Sequence, residues 1–369
     1  MKVATRLPLR LAPRLVNAPV FLRPIHSTVA KPANVAPIVG TGPPPAPPEP
    51  PTAAEVNVHQ RVARRRKQAE MLKHAKEIRS VSAGKTGTLT KRFWKDVAVK
   101  EMDGAYEIHL DTRPLRHPNT KEIIRLPLSK PDLASALALE WDLLTSAQDA
   151  TRQHLIPLTS LICRALDIAE ADVAAGSATS EVRAGIATTL LKYLDTDSIL
   201  CWAPPTGEHD LRNDAGEGLR DVQKRTAEEI VSFMTTHVWP GVTINPVLDG
   251  HSIFPQAQAP GVREVVQGWI TGLDSWEIAG LERGVLAGKS LIAAARLVSE
   301  WSEGSVGKGE FNTGKKFGVE DAAVATSLEV DWQTGQWGEV EDTHDVNKED
   351  VRRQMGSVAL LVSGTAKSA

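Results

Sequence analysis

The chain has 369 residues, among them two cysteines, and a formal net charge of −2. That length accommodates one or two domains with real cores, while Cys163 and Cys201 are too few and too far apart for a zinc site or a disulfide scaffold. No run of about 18 apolar residues is present, so no stable membrane insertion is expected.

The front end is basic. Before Glu49, the first carboxylate, stand Lys2, Arg6, Arg10, Arg14, Arg23 and Lys31. With Leu9, Leu11, Leu15 and Val16 around Arg10 and Arg14, residues 1–36 read as a mitochondrial transit peptide: amphipathic, arginine-rich and acid-poor. Residues 37–88 read as a proline-rich linker and a basic segment, largely disordered or loosely helical. Eight of the fifteen residues from Pro37 to Pro51 are proline, which forbids helix. The basic stretch 61–67, RVARRRK, has no aromatic residues interleaved for base stacking, so it reads as solvated. Setting this basic part aside leaves an acidic body, which argues against nucleic acid as a partner because phosphate contacts need a basic face.

From Phe93 to Leu128 the pattern is strands and turns. Val97–Lys100 and Ala105–Leu110 flank Met102-Asp103-Gly104, and Asp-Gly between extended runs signals a hairpin. A second turn follows at Asp111-Thr112-Arg113-Pro114, and Glu122–Leu126 forms a third strand. A helix is predicted to begin near Ser129, with Pro131 in its first turn; Leu133, Leu137, Trp141 and Leu144 share one face. Beyond about Glu170 the periodicity is helical, with helices over 180–194, 216–236, 260–273, 275–302, 318–334 and 348–363. Val242–Val247 is the extended exception, and there is no internal repeat. The predicted class is α+β: a small strand-rich α+β domain, 89–172, then a larger helical, orthogonal bundle-like domain, 173–369, with a flexible insertion near 302–318.

The most informative segment is Ser327–Val346, SLEVDWQTGQWGEVEDTHDV. It holds Trp332, Trp337, two glutamines and six acids: Glu329, Asp331, Glu339, Glu341, Asp342 and Asp345. Tryptophan is enriched where proteins meet proteins, and surrounding charge steers a partner more than it tightens binding. Two catalytic decoys lose weight. Gly284–Ser290 ends like a phosphate-binding loop, but Arg283 stands where that motif needs glycine, and Leu281, Val285, Gly288, Ile292 and Ala295 continue one helical stripe. The acids beside His344 have no second histidine at ligand spacing, so no metal is expected.

Three blocks in order carry a resemblance. Arg92-Phe93-Trp94 with Tyr106 to Leu115, then Leu139-Glu140-Trp141-Asp142, then Leu328-Glu329 with Gln336-Trp337-Gly338 and His344-Asp345 resemble the assembly chaperones specific for the α subunit of mitochondrial F1 ATP synthase. Pro157-Leu158-Thr159, Ala165-Leu166-Asp167 and Tyr193 to Asp197 support it. The resemblance spans about Arg92 to Gly364; the chain departs from it in segment 203–262 and in the glycine- and lysine-rich insertion between Trp301 and Val319. It implies a monomeric chaperone of the mitochondrial matrix that binds the free F1 α subunit until a β subunit takes its place, with no catalysis and no cofactor. It also implies that Glu329 holds the client and that Trp141 keeps the protein competent; the acidic, tryptophan-bearing character of the segment places Trp332, Trp337, Glu339 and Asp342 on the same partner surface, and Asp142 is grouped with Trp141. The rival reading is a matrix hydrolase or NTPase using Lys289 or the carboxylates around His344.

Overall fold

The computed structural model describes residues 91–175, 180–307, 311, 315–340 and 343–365. The chain divides into two compact units, Met1–Lys76 and Glu77–Ala369, and every described residue lies in the second. The transit-peptide and linker readings, 1–36 and 37–88, lie outside the described residues.

Strands β1 (Val97–Met102) and β2 (Ala105–Leu110) form the antiparallel hairpin, with Val97 opposite Leu110 and Met102 opposite Ala105. Asp103 and Gly104 both have positive φ, 50° and 75°, as a two-residue type I′ turn requires. The next turn places Asp111 at φ 56°, and its carboxylate accepts the amides of Lys95 and Asp96 at 3.0 and 2.9 Å. The far edge of β2 is shared: β3 (Arg113–Pro114) pairs with His109–Leu110 and β4 (Arg125–Pro127) with Ala105–Glu107. Strand β4 is shorter than Glu122–Leu126, because Ile123 makes only an isolated bridge to Arg116.

Helix α1 (Pro131–Leu143) starts with Pro131 in its first turn. Its cap position is Lys130 rather than Ser129, whose hydroxyl donates to Glu303 at 2.9 Å. Then follow α2 (Pro157–Ala175), α3 (Glu181–Leu194), α4 (Leu219–Phe233) continuing into a π-type turn (Met234–Val238), α5 (Val262–Gly272), α6 (Ser275–Gly288), α7 (Leu291–Trp301), α8 (Val319–Trp337) and α9 (His344–Val362). The fold is α+β, with one hydrophobic cluster running from Trp94 to Val362 through sheet and helices.

The differences from the sequence reading have local causes. Helix α2 begins well before Glu170. Leu158, Leu161, Ile162, Cys163, Ala165 and Ile168 are all buried, which blurs a one-faced period. Val242–Val247 forms no strand; beside it stands only one bridge, Cys201 to Leu248. The predicted helix 275–302 is two helices. Lys289 adopts the left-handed conformation, φ 56° and ψ 24°, and Ser290 caps α7 through the Ala293 amide. Packing dictates the residue before the break: a Cβ on Gly288 would lie 2.7 Å from Met355 and 2.8 Å from Thr326. The apolar stripe Leu281–Ala295 therefore turns a corner.

Helix α7 is the buried axis of the molecule, with every side chain from Leu291 to Glu300 buried. A helix buried on every side cannot leave its N-terminus to water, so its first amides need acceptors. Asp197, wholly buried, supplies one: its carboxylate accepts from Leu291 at 2.7 Å, Ile292 at 3.0 Å and Ile199 at 3.2 Å. Burial outweighs these bonds and pushes the Asp197 pKa from 3.8 up to about 6. The folded chain therefore holds a proton that the unfolded chain has released between pH 3.8 and about 6. The contribution of this group to stability falls as pH rises through that window and is flat above it. Urea titrations at a series of pH values are expected to show this slope in the native chain and not in Asp197→Asn; equal slopes in both would exclude it.

A comparable joint ties α1 to α2. The Glu140 carboxylate accepts the amides of Leu158 and Thr159 at 2.8 and 2.9 Å, and the Thr159 hydroxyl at 2.6 Å. Desolvation nonetheless raises its pKa. Trp141, 8% exposed, donates its indole N–H to Thr159 at 2.9 Å and packs against Trp94, ring centroids 5.5 Å apart and planes tilted by 57°. Asp142 is exposed and receives Arg92 through both its carboxylate and its carbonyl. In Trp141→Arg a guanidinium replaces a packed indole and leaves Thr159 without its donor. Large buried aromatic truncations cost about 3–5 kcal/mol, and a buried charge adds to that. Chemical denaturation should show a loss of at least that order; an unchanged midpoint would mean that the indole contributes nothing to this joint.

Candidate functional site

The Ser327–Val346 segment folds as the end of α8, a connecting loop and the start of α9. Helix α8 buries only Ala322, Ala323 and Ala325, all near its start, and the first buried residue of α9 is Val351. No described side chain from Thr326 to Asp350 is fully buried. The two helices therefore form an antiparallel surface arm there, with Glu329 still close enough to Cys201 for its charge to add to burial and to Asp197 in pushing that thiol up. Its α8 side alone runs 326–337, about 18 Å of helix at 1.5 Å per residue.

The predicted helix end at 334 is three residues short, and the correction decides the geometry of the site. With α8 helical to Trp337, the residues at positions 329, 333, 336 and 337 share one face by the i, i+4, i+7 rule. All four are exposed, and Gln333 donates to Glu329 at 3.2 Å. Gln333 and Gln336 thus join the candidate stripe, a role that their spacing from Glu329 allows once the helix reaches Trp337. Trp337 is 75% exposed at the tip, where Val340 (59%) and Val346 (57%) accompany it. Trp332 is half-buried beside the stripe. Glu339 is exposed in the loop. Asp342 and Glu341 lie outside the described residues.

The acids divide by role. Asp331 is bound to Lys348 at 2.9 Å, bridging α8 to α9, so it holds the arm together. The other arm cations are also taken: Arg352 pairs with Glu320 and Glu349, and Arg353 with Asp350. Glu329 and Glu339 have no ion-pair partner among the described residues, so the uncompensated charge of the arm is negative. His344 is engaged in the loop, its Nδ1 accepting the Val340 amide at 3.1 Å. Among the described residues no group of three or more His, Cys, Asp or Glu side chains is placed to hold a metal ion.

The Gly284–Ser290 segment presents no phosphate cradle. An anion at a helix start needs free amides, and those of α7 are committed to Asp197 and to the Ser290 hydroxyl. The Lys289 ammonium donates to the Leu286 carbonyl at 2.6 Å. The glycines serve packing instead: a Cβ at Gly284 would come 3.1 Å from Ala294. The cysteines are free, and burial pushes the Cys163 thiol up to about 11.

Comparison with known proteins agrees with this architecture. Residues 91–235 match the family model described as ATP12 chaperone protein. The chain is 33% identical over 273 residues to Protein atp12, mitochondrial, of Schizosaccharomyces pombe, covering 73% of this chain and 81% of the relative. It is 31% identical over 284 residues to Protein ATP12, mitochondrial, of Saccharomyces cerevisiae, covering 73% and 83%. Among solved structures, a mutant of P. denitrificans Atp12p superposes with a TM-score of 0.51 at 22% identity, over 74% of this chain and 96% of that one, a likeness of fold. Identity above 30% across most of both chains leaves one conclusion: this chain belongs to the ATP12 chaperone family.

Proposed function

We propose that the chain is an assembly chaperone of mitochondrial F1 ATP synthase, which holds the unassembled α subunit and covers its β-facing surface until a β subunit replaces it. The observation that carries this reading is the arm: an exposed tryptophan and two exposed valines at the tip of a helical hairpin that has no core of its own. Contiguous exposed apolar side chains rimmed by charge mark a protein-binding surface. An unassembled subunit interface is itself an aggregation hazard, which a covering partner removes.

The magnitudes suit a temporary hold. Burying each apolar tip side chain gains about 1.5–3 kcal/mol. Three of them together only match the cost of association, about 4–15 kcal/mol. The tip needs the charged stripe and further contacts to hold a client, and a larger permanent interface can displace it. In this reading Glu329, Trp332, Trp337, Glu339 and Asp342 face the client, Glu329 meets a basic group on it, and the chain performs no catalysis. The acting form is a monomer in the mitochondrial matrix. The basic, acid-poor residues 1–36 and the mitochondrial names of the relatives support that location.

Glu329→Lys should abolish co-purification of the F1 α subunit at an unchanged melting temperature, because the side chain is exposed and among the described residues its side chain is hydrogen-bonded only by Gln333. Retention of the client, or an unfolded variant, would remove Glu329 from the binding surface. Trp337→Ala should weaken capture without loss of stability. A drop in unfolding free energy as large as that of a core tryptophan would instead make Trp337 a packing residue.

A further inference from the structure

The small sheet carries a second surface. Strand β2 lies between β1 on one side and β3 and β4 on the other, so β1 has one neighbour and one open edge. The Asp111 amide donates to the Asp96 carbonyl at 2.9 Å, which fixes the alternation of the ladder. Ala98, Lys100 and Met102 turn their backbone groups toward β2, and Val97, Val99 and Glu101 turn theirs outward. Those outward N–H and C=O groups have no partner among the described residues. Every residue of β1 from Ala98 to Met102 is exposed, and so are Lys95 and Asp96 before it. Lys95, Asp96, Lys100 and Glu101 form no ion pair among the described residues.

An open strand edge is a template for another strand. The stretch along this one, Lys95-Asp96-Val97-Ala98-Val99-Lys100-Glu101, is complementary in charge to its own reverse. We propose that β1 is a self-association edge, to which a second copy of this chain adds its own β1, antiparallel about a two-fold axis at Ala98. In that register Val97 of one copy faces Val99 of the other, and these two outward-turned residues exchange both backbone bonds on either side of the axis. Asp96 lies opposite Lys100, and Lys95 opposite Glu101. Opposite charges facing across strands stabilise the pairing, and like charges oppose it. The neighbouring registers that keep outward groups face to face lose this match. With the axis at Val99, Glu101 faces Val97 and Lys100 faces Ala98; with the axis at Val97, Asp96 faces Ala98 and Lys95 faces Val99. A lysine on an edge ordinarily repels a foreign strand. Here it admits one that brings an aspartate level with it, as this chain does. The contact uses no residue of the arm, so the client-holding monomer and the paired form are linked by mass action, and either reading can fail without the other.

Sedimentation velocity of the full chain over a range of concentrations tests the edge, and the native chain is expected to pass from monomer to dimer as concentration rises. The charge pair to alter is Lys95 with Glu101, because Lys100 also stands opposite Glu107 within its own hairpin. Lys95→Glu sets acid against acid on both sides of the axis, and Glu101→Lys sets lysine against lysine. Each variant alone should dimerise at least about tenfold more weakly, a change of about 1.4 kcal/mol, while its circular dichroism stays that of the native chain. An equimolar mixture of the two should recover a dimer with one copy of each, since every contact is then again of opposite sign. Trp337→Ala should dimerise like the native chain. The proposal is overturned if the native chain stays monomeric throughout, if the single variants dimerise as it does, or if their mixture does not pair. Loss of the dimer in Trp337→Ala would overturn it too, by placing the contact on the arm.

Discussion

The fold depends on satisfying the first amides of helices whose ends are buried. Helix α7 runs through the middle of the molecule with no face to solvent, so water cannot serve its N-terminus. Asp197 does so from another segment, and Ser198 completes the knot by donating to the Gly288 carbonyl at 3.1 Å. The same device recurs where Glu140 of α1 caps α2, and where Glu277, 1% exposed, accepts from Ser302 and Val306. In each case a carboxylate distant in sequence fixes where two elements cross. A buried carboxylate with several donors is costly to move, because removing any donor exposes desolvated charge. These joints set the frame on which the arm stands.

Cations do the complementary work at helix C-termini. Lys130 is buried at the start of α1, where its ammonium donates to the carbonyls of Leu361 and Ser363 at 2.9 Å and pairs with Glu303 at 2.8 Å. Arg183, also buried, donates to the carbonyls of Thr271 and Leu273 at the C-terminal end of α5 while paired with Asp172. Both groups join segments far apart in the chain. The small sheet and the helices therefore share one core.

Local rules sufficed wherever the cause was local. Asp103-Gly104 signals its hairpin because the turn needs two positive φ values, and Pro131 marks a helix start because proline fits there. The break at Lys289 was hidden because the apolar stripe Leu281–Ala295 reads as continuous across it, although Ser290 caps the next helix locally. Glu140, Trp141 and Asp142 stand together in sequence, but only the structure separates them into a cap for α2, a core indole and a tie to Arg92. At the candidate site, the acidic, tryptophan-bearing character of Ser327–Val346 was legible from composition, Glu329 stood out only through the family resemblance, and the exposure of Trp337 is known from the structure. The internal use of Asp331 was not legible, because its partner Lys348 comes from the facing helix.

The arm has one more consequence. Its distal turns share no buried side chain with the core, so substitutions there are nearly silent in the unfolding equilibrium. In the function proposed above, recognition and foldedness then rest on separate residues. Selection can retune the tip to a changing partner without eroding the scaffold, and the buried knots at Asp197 and Glu140 can stay fixed while it does.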